Sequence, residues 1–217
     1  QGLRQSNEPR AQLASMTPEP SKWARMIAAD PDHSHRYIER FKIMEAAGHD
    51  LYGEARTVDA MASRGARILD AGCGPGRHAG WLHERGHHVV GVDVDPVLIA
   101  AAQEDHPGPV FLVGDLAELD LPARDVEANF DIILSAGNVM GFLAPSTRVE
   151  TLRRFRDHLA PEGRVVAGFG AGRGYEFTDF LEDAQEAGLT PEQAFSTWDL
   201  RPWRPGSDFL VAVLTAS

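Results

Sequence analysis

The sequence predicts an α/β fold in which a mostly parallel sheet is covered by helices on both faces. Short apolar runs such as Val89–Val92 and Phe130–Ser135 are typical of strands that are buried on both sides of a parallel sheet. Segments with helical spacing separate these runs, as they do when helices connect parallel strands. A glycine-rich turn directly after Ile68 and Leu69 joins the first such strand to a helix.

The N-terminal third is expected to be helical. Residues 1–20 are polar and contain three prolines, which favours a flexible tail. Ser21 can cap a short helix that ends at Ala29, and Ser34 can cap a second helix from His35 to Ala47, because serine is favoured at the N-cap. A third helix is predicted over about 54–63. We therefore expect a tail at 1–20, a helical extension at 21–64 and a domain at 65–217.

The run that organises the chain is the glycine turn after the first strand, predicted at 66–70. Gly72, Gly74 and Gly76 stand at alternate positions, and a helix follows from about His78. Such a turn brings bare backbone N–H groups, and the positive end of the helix dipole, close to a ligand. The next strand, predicted at 88–93, ends in Asp93, a carboxylate suited to a bidentate grip on two ribose hydroxyls.

The later elements continue the same alternation. Asp95 and Pro96 open a helix, as an N-cap followed by proline at the first turn. Helices are predicted from Ser146 to Leu159 and from 177 to 187. Strands are predicted at 110–113, 130–135, 164–169, 194–200 and 209–214, the last two as a hairpin. Trp198 and Trp203 flank its turn and either wall a pocket or pack the hairpin.

Three motifs together resemble the class I S-adenosylmethionine-dependent methyltransferases. They are the acid-x-Gly-x-Gly-x-Gly run from Asp70 to Gly76, the acid Asp93 that closes the next strand, and Gly114-Asp115-Leu116 after the third strand. The resemblance covers roughly residue 65 to the C-terminus. It implies a Rossmann-like seven-stranded, mostly parallel sheet with a C-terminal antiparallel hairpin, preceded by the N-terminal helical extension.

The resemblance also implies which residues meet the cofactor, S-adenosyl-L-methionine, and its product S-adenosylhomocysteine. Asp93 would hold the ribose, Asp115 and the Leu116 N–H would hold the adenine, and Asp70 would hold the turn or the amino group of the cofactor. The segment after the fourth strand would lie beside the methyl sulfonium. The implied cofactor-binding residues are Asp70, Gly72, Gly74, Gly76, Asp93, Val94, Asp115, Leu116, Ala136 and Gly137.

The methyl acceptor is expected to be a small molecule. Asn138 is the one strongly polar side chain after the fourth strand, and no proline pair or fourth-place aromatic follows it, which counts against methylation of nucleic-acid bases. The family often uses its N-terminal helices as a lid, so His33, His35, Trp23, Tyr37 and Arg40 are candidate lid residues. The candidate acceptor contacts are Asn138, Tyr37 and His35. No catalytic residue stands out, because a sulfonium leaving group is already activated and positioning can carry the rate.

Two other functions stay open at this stage. Gly74 to Ala79 also fits the dinucleotide fingerprint, with Asp93 nineteen residues beyond Gly74, so a nicotinamide-dependent oxidoreductase is an alternative. Asp70 counts against it, because a carboxylate inside a strand end is costly unless it binds something. A non-catalytic protein that binds S-adenosylmethionine or S-adenosylhomocysteine is the other alternative.

The charge and the residue composition argue against several kinds of ligand and partner. The formal net charge is −11, which makes the chain a poor candidate for binding nucleic acid. Cys73 is the single cysteine, so no intramolecular disulfide can form, which fits a cytoplasmic protein. No apolar run is long enough to span a membrane. The nine histidines show no metal-ligand spacing, so no metal site is predicted.

Overall fold

The computed structural model describes residues 17–217. The predicted flexible tail therefore lies outside the described residues, except for 17–20, which form neither helix nor strand. Within the described part of the chain, helices and strands alternate from residue 67 onward, after three consecutive helices.

A seven-stranded sheet forms the centre of the protein. Its strand order is β3-β2-β1-β4-β5-β7-β6, and the first five strands in chain order pair in parallel. The strand β7 pairs antiparallel with both β5 and β6, which closes the sheet with a hairpin. The strands are β1 (Arg67–Ala71), β2 (His88–Asp93), β3 (Val110–Val113), β4 (Phe130–Ser135), β5 (Leu159–Gly170), β6 (Leu189–Phe195) and β7 (Phe209–Ala216). This topology confirms the predicted fold.

Helices cover both faces of the sheet. The first two lie over the carboxyl ends of the parallel strands, and three short 3-10 helices occur in the loops between residues 116 and 147. In the described residues the α-helices are α1 (Lys22–Ala29), α2 (His33–Ala46), α3 (Gly53–Met61), α4 (Arg77–His83), α5 (Pro96–Asp105), α6 (Val139–Phe142), α7 (Arg148–Asp157) and α8 (Phe177–Glu186).

Two hydrophobic cores, one on each face, explain the apolar character of the strands. Ile68 and Leu69 are neighbours in β1 but belong to different cores, because successive strand residues point to opposite faces. Both side chains are fully buried. A strand buried on both faces favours apolar residues at successive positions, which is why Ile68 and Leu69 of β1 and Ile132 to Leu134 of β4 are consecutive apolar residues.

The predicted element bounds need four main corrections. The strand predicted at 164–169 spans Leu159–Gly170. The second helix begins at His33, and Ser34 lies inside it as a buried residue rather than capping it. The helix predicted from Ser146 begins at Arg148 and ends at Asp157, because the segment from Leu159 already belongs to β5. The strand predicted at 194–200 spans Leu189–Phe195; a register shift between Pro191 and Gln193 breaks the alternation that marks a strand.

The order of the strands fixes the position of the site. The strand β1 lies between β2 and β4, so the chain leaves the sheet in opposite directions on its two sides. A crevice forms outside the carboxyl ends of the strands at such a switch point. The glycine turn, Asp93 and the segment after β4 all lie at these carboxyl ends. Within residues 17–217, no helix combines the length and apolarity needed to cross a membrane.

Candidate active site

A cavity of about 550 Å³ lies at the carboxyl ends of β1 to β4. Its floor comes from the glycine turn, from Asp93 and from the segments that follow β3 and β4. Its roof comes from α1 and α2, so the N-terminal helices do cover this edge of the sheet. The volume suits one small molecule or a cofactor together with a small partner.

The glycine turn is held against the end of β2 by backbone hydrogen bonds. The N–H groups of Gly72 and Cys73 both donate to the carbonyl of Val92, at 2.8 and 3.0 Å. Gly72 has a φ of +82°, and a Cβ atom there would lie 2.5 Å from Val139 Cγ2. A side chain at this position would therefore be strained and would also collide with the start of α6. Gly74 faces the cavity, with Tyr37 as its nearest neighbour.

Asp93 ends β2 with its carboxylate directed toward the turn. One oxygen accepts the Gly74 N–H and the other accepts the Asp95 N–H, both at 2.9 Å. The residue is only 9% exposed, and burial raises the pKa of its carboxyl to about 6. These bonds orient the carboxylate toward the cavity and leave lone pairs on both oxygens for further donors.

Asp70 lies deeper, below the glycine turn. It is 1% exposed, and its Oδ2 atom has no hydrogen-bond partner among the described residues. Burial raises its pKa to about 7, while the positive charge of Arg77 acts in the opposite direction. A buried carboxylate with an unused oxygen is costly, so it indicates a place where a further donor is expected.

The segments after β3 and β4 complete the floor. Asp115 accepts the Ala117 N–H at 2.9 Å, so its carboxylate caps a short 3-10 helix while the residue also lines the cavity. Leu116, Ala136 and Gly137 line the cavity as well. Gly137 has a φ of +72° and open space where a side chain would begin, which leaves the backbone accessible to a ligand.

The roof is fastened to the floor through Asp95. The indole N–H of Trp23, from α1, and the hydroxyl of Ser34, from α2, both donate to Asp95 Oδ2. The ring of Trp23 also packs edge-on against Tyr37 and against Phe142 of α6. The two N-terminal helices therefore contact the floor on both sides of the cavity.

Three of the residues predicted to contact a ligand do not lie on the cavity wall. Asp70 is beneath the turn, and Gly76 packs against Phe111 and Ala102, where a Cβ atom would lie within 3 Å of both. His35 is exposed and does not line the cavity, whereas His33 does, because His33 lies four residues before Tyr37 and shares its face of α2. The predicted residues that line it are Gly72, Gly74, Asp93, Val94, Asp115, Leu116, Ala136, Gly137, Asn138 and Tyr37.

Other cavity residues were missed by sequence reasoning. Arg77, Arg173 and Phe142 line the wall, although none of them belongs to a motif. His78 also lines it while only 6% exposed, and neither of its ring nitrogens has a hydrogen-bond partner among the described residues. Burial lowers the pKa of His78 well below its usual range, so the ring is neutral and can offer one donor and one acceptor. Its position at the start of α4, directly after the glycine turn, was the available signal.

Trp198 and Trp203 do not wall the cavity. The ring of Trp198 packs on Gly168, where a Cβ atom would lie 2.3 Å from it, and Trp203 packs against the core of the opposite face. Both tryptophans are therefore packing residues of the hairpin. Within residues 17–217, no group of histidine, cysteine and acidic side chains is arranged to hold a metal ion.

Comparison with known proteins points to one kind of enzyme. A family described as "Methyltransferase domain" matches residues 68–163. The dTDP-3-amino-3,6-dideoxy-alpha-D-glucopyranose N,N-dimethyltransferase of Streptomyces fradiae is 28% identical over 62% of the chain. The magnesium-protoporphyrin O-methyltransferase of Rhodobacter capsulatus is 37% identical over 64% of the chain. The matched regions span 53% and 60% of these two relatives, so the chain covers little more than half of their length.

A solved structure extends the similarity to nearly the whole chain. A TehB-like S-adenosylmethionine-dependent methyltransferase from Corynebacterium glutamicum is 52% identical and superposes with a TM-score of 0.83. The match covers 87% of this chain and 100% of that protein. The similarity therefore extends well beyond the segment 68–163 that the family matches.

Proposed function

Because the chain belongs to the class I S-adenosylmethionine-dependent methyltransferase family, we propose that it transfers a methyl group from S-adenosylmethionine to a small-molecule acceptor. One observation carries the proposal. At the carboxyl ends of β1 to β4, a single cavity brings together the carboxylate of Asp93, which could bind a ribose, the glycine turn, and a space beneath α1 and α2 that could hold an acceptor. A dinucleotide would need neither the orphan oxygen of Asp70 nor the carboxylate of Asp115.

The floor residues fit the parts of the cofactor. Asp93 would accept the two ribose hydroxyls, because its oxygens face the cavity and are already oriented by backbone N–H groups. Asp115 and the Leu116 N–H would hold the adenine, and Val94 would pack near the ribose. Gly72 and Gly74 would let the backbone approach the methionine moiety. The unused oxygen of Asp70 lies beneath the turn, so it would accept from the amino group through a water molecule.

The remaining walls would position the acceptor. When bound, the cofactor would supply an activated methyl group on a sulfonium. Ala136, Gly137 and Asn138 follow β4 and would face that methyl group. The roof of α1 and α2 would limit the access of water, so the chain would contribute mainly orientation and desolvation to the rate.

The size of the site supports a small acceptor. The roof is fastened to Asp95, and the space of about 550 Å³ beneath it would also have to hold the cofactor. The two curated relatives above are named for a nucleotide amino sugar and a magnesium porphyrin, which are both small molecules. We further propose that residues 21–64 act as the lid of a cofactor-binding domain at 65–217. A cytoplasmic location stays a prediction.

Calorimetric titration with S-adenosylhomocysteine, and with NAD as comparator, tests the cofactor. We expect one-to-one binding of S-adenosylhomocysteine alone, together with a stabilisation of about 2.7 kcal/mol at a hundredfold excess over the dissociation constant. Transfer of a labelled methyl group to a panel of small acceptors then tests catalysis. Binding of NAD alone would contradict the proposal, and tight cofactor binding with no turnover on any acceptor would favour a non-catalytic binding protein.

A further inference from the structure

Two donor-bearing side chains of the cavity wall converge above Gly170, at the end of β5. A Cβ atom placed on Gly170 would lie 3.5 Å from Asn138 Oδ1 and 3.5 Å from Arg173 Nε. Both residues line the cavity. Asn138 follows β4 and Arg173 follows β5, so the topology brings together two loops that lie far apart in sequence.

The orientation of Asn138 is fixed by its own oxygen. The Gly170 N–H donates to Asn138 Oδ1 at 2.9 Å, so the amide NH₂ of Asn138 points the other way. Asn138 has a φ of +62°, a left-handed conformation that asparagine tolerates better than most residues. No acceptor within residues 17–217 hydrogen-bonds to that NH₂ group. The amide is therefore a fixed donor without a protein partner.

Arg173 is held by its backbone and its stem, and its head group is unused. The Lys22 ammonium of α1 donates to the Arg173 carbonyl at 2.8 Å. The aliphatic stem packs on Gly141, where a Cβ atom would lie 2.9 Å from Arg173 Cβ. Among the described residues, no carboxylate lies within 4 Å of the Arg173 nitrogens. Arg173 is exposed and lines the cavity, so its guanidinium is accessible to a ligand from solvent.

The other charged residues of the cavity wall have partners or roles apart from Arg173. The carboxylates on its wall are Asp93 and Asp115, and both belong to the part that fits the cofactor. The arginines on its wall are Arg36, Arg40, Arg77 and Arg173. Arg36 pairs with Asp30, and Arg77 lies close enough to Asp70 to affect its pKa. Arg40 lies over the rings of Tyr37 and Phe41. The cofactor would bring one carboxylate of its own, and Arg77, which directly follows the glycine turn, would be a partner for it.

We infer that the methyl acceptor carries an anionic oxygen group, a carboxylate or a phosphate, which binds to Arg173 and to the amide NH₂ of Asn138. This inference rests on the proposed function, because it assigns the acceptor side of the same cavity. A guanidinium presents paired N–H donors that match carboxylate and phosphate oxygens. The aromatic rings of Trp23, Tyr37 and Phe142 form the adjoining wall, so the body of the acceptor is apolar or aromatic.

Four fragments that share one ring test the charge preference. Benzoate, phenyl phosphate, benzamide and benzylamine are titrated by NMR into protein that is saturated with S-adenosylhomocysteine. We expect at least one of the two anions to bind about tenfold more tightly than benzamide, a difference of about 1.4 kcal/mol, and benzylamine to bind most weakly. The tighter of the two anions identifies the group that the site prefers.

Three variants locate that preference. Arg173→Gln removes the guanidinium, and Asn138→Asp keeps an oxygen for the Gly170 N–H while it removes the NH₂ donor and adds a negative charge. Each is expected to reduce anion binding to the level of benzamide while the affinity for S-adenosylhomocysteine is retained. Arg25→Gln is the matched control, because Arg25 is an exposed arginine of α1 that does not line the cavity.

The outcomes distinguish failure of the inferred anionic acceptor from failure of the proposed methyltransferase function. Equal binding of benzamide or benzylamine and the anions, an anion preference that survives both Arg173→Gln and Asn138→Asp, or no anion binding at all, would overturn the inference. A loss of S-adenosylhomocysteine binding in Arg173→Gln would assign that arginine to the cofactor and would also overturn it. Failure of the wild-type protein to bind S-adenosylhomocysteine would instead overturn the proposed function itself.

Discussion

The indole N–H of Trp23 donates to the carboxylate of Asp95 at 2.9 Å, across 72 residues of sequence. The same oxygen accepts the hydroxyl of Ser34 at 2.5 Å. The other oxygen caps α5 by accepting the N–H of Val97 at 2.9 Å and that of Leu98 at 3.4 Å. Asp95 is fully buried, so one carboxylate fastens both roof helices to the start of a helix that packs on the sheet.

Loss of this bond should loosen the roof. Trp23→Phe keeps an aromatic ring against Tyr37 and Phe142 but removes the donor. A hydrogen bond to a charged group contributes about 1.5–3 kcal/mol, so amide exchange in α1 and α2 should accelerate by roughly tenfold or more. Hydrogen exchange measured by mass spectrometry checks this. Trp81→Phe is the control, because Trp81 lies outside the cavity. Unchanged exchange in Trp23→Phe would show that packing alone holds the roof.

Removal of the Asp93 charge should abolish most of the cofactor affinity. Asp93→Asn has nearly the same shape but offers the ribose one acceptor oxygen in place of two, and it presents an NH₂ group toward either the Gly74 or the Asp95 N–H. Two charge-assisted bonds contribute about 3–6 kcal/mol together, so the dissociation constant for S-adenosylhomocysteine should rise by about 100-fold or more. Calorimetry measures it. The exposed residue Glu104 provides the control Glu104→Gln, and equal affinities in the two variants would contradict the ribose role.

Cofactor binding should weaken in mildly acidic solution. Burial raises the pKa of Asp93 to about 6, so its carboxyl is mostly ionised at neutral pH and mostly protonated one unit below that pKa. Only the ionised form accepts from both ribose hydroxyls. The dissociation constant for S-adenosylhomocysteine should therefore rise by about tenfold between pH 7 and pH 5 from Asp93 alone. Circular dichroism at each pH confirms that the protein stays folded, and a flat profile would contradict this role of Asp93.

The glycine turn allows a comparison at matched backbone geometry. Gly72 and Gly48 both have a φ of +82°, but a Cβ atom at Gly48 would meet nothing within 4 Å, whereas at Gly72 it would meet Val139. Gly48→Ala should cost about 1–2 kcal/mol of unfolding free energy from backbone strain, and Gly72→Ala about 1–3 kcal/mol more from the collision. Urea denaturation measures both.

A double variant that removes the collision tests this explanation most directly. Gly72→Ala combined with Val139→Ala should recover most of the excess cost, because the atoms that the new methyl group meets first belong to Val139. Equal losses in Gly72→Ala and Gly48→Ala would show that the turn has room for a side chain and is not closed against α6.

The elements of the sheet could be predicted because their signals are local. The apolar runs of β2, β3 and β4 end where the sequence predicts, and the motifs at Asp93 and Asp115 follow directly from the strands. The cavity at these strand ends is a consequence of parallel pairing. A reader of the sequence could therefore identify most of the floor residues.

The roof and the acceptor wall depend on contacts between distant segments. Serine is favoured at the N-cap, but the Ser34 hydroxyl donates to Asp95, 61 residues later. Nothing near Ser34 in the sequence indicates this bond. Arg173 lies in a glycine-rich loop with no periodicity. Its place beside Asn138 becomes visible only when β4 and β5 are paired. Gly76 belongs to the motif, but it serves helix packing against Phe111.

The link from Asp93 to Asp95 has a thermodynamic consequence. The Asp95 N–H donates to the carboxylate proposed to hold the ribose, while the Asp95 side chain holds both roof helices. Closure of the roof and occupancy of the floor therefore share a coupling free energy, and such coupling is reciprocal. If bound cofactor favours the closed roof by some factor in the equilibrium constant, the closed roof increases the affinity for the cofactor by the same factor. If the acceptor binds under the roof as proposed, it would slow the escape of the cofactor, and departure of the product would speed it.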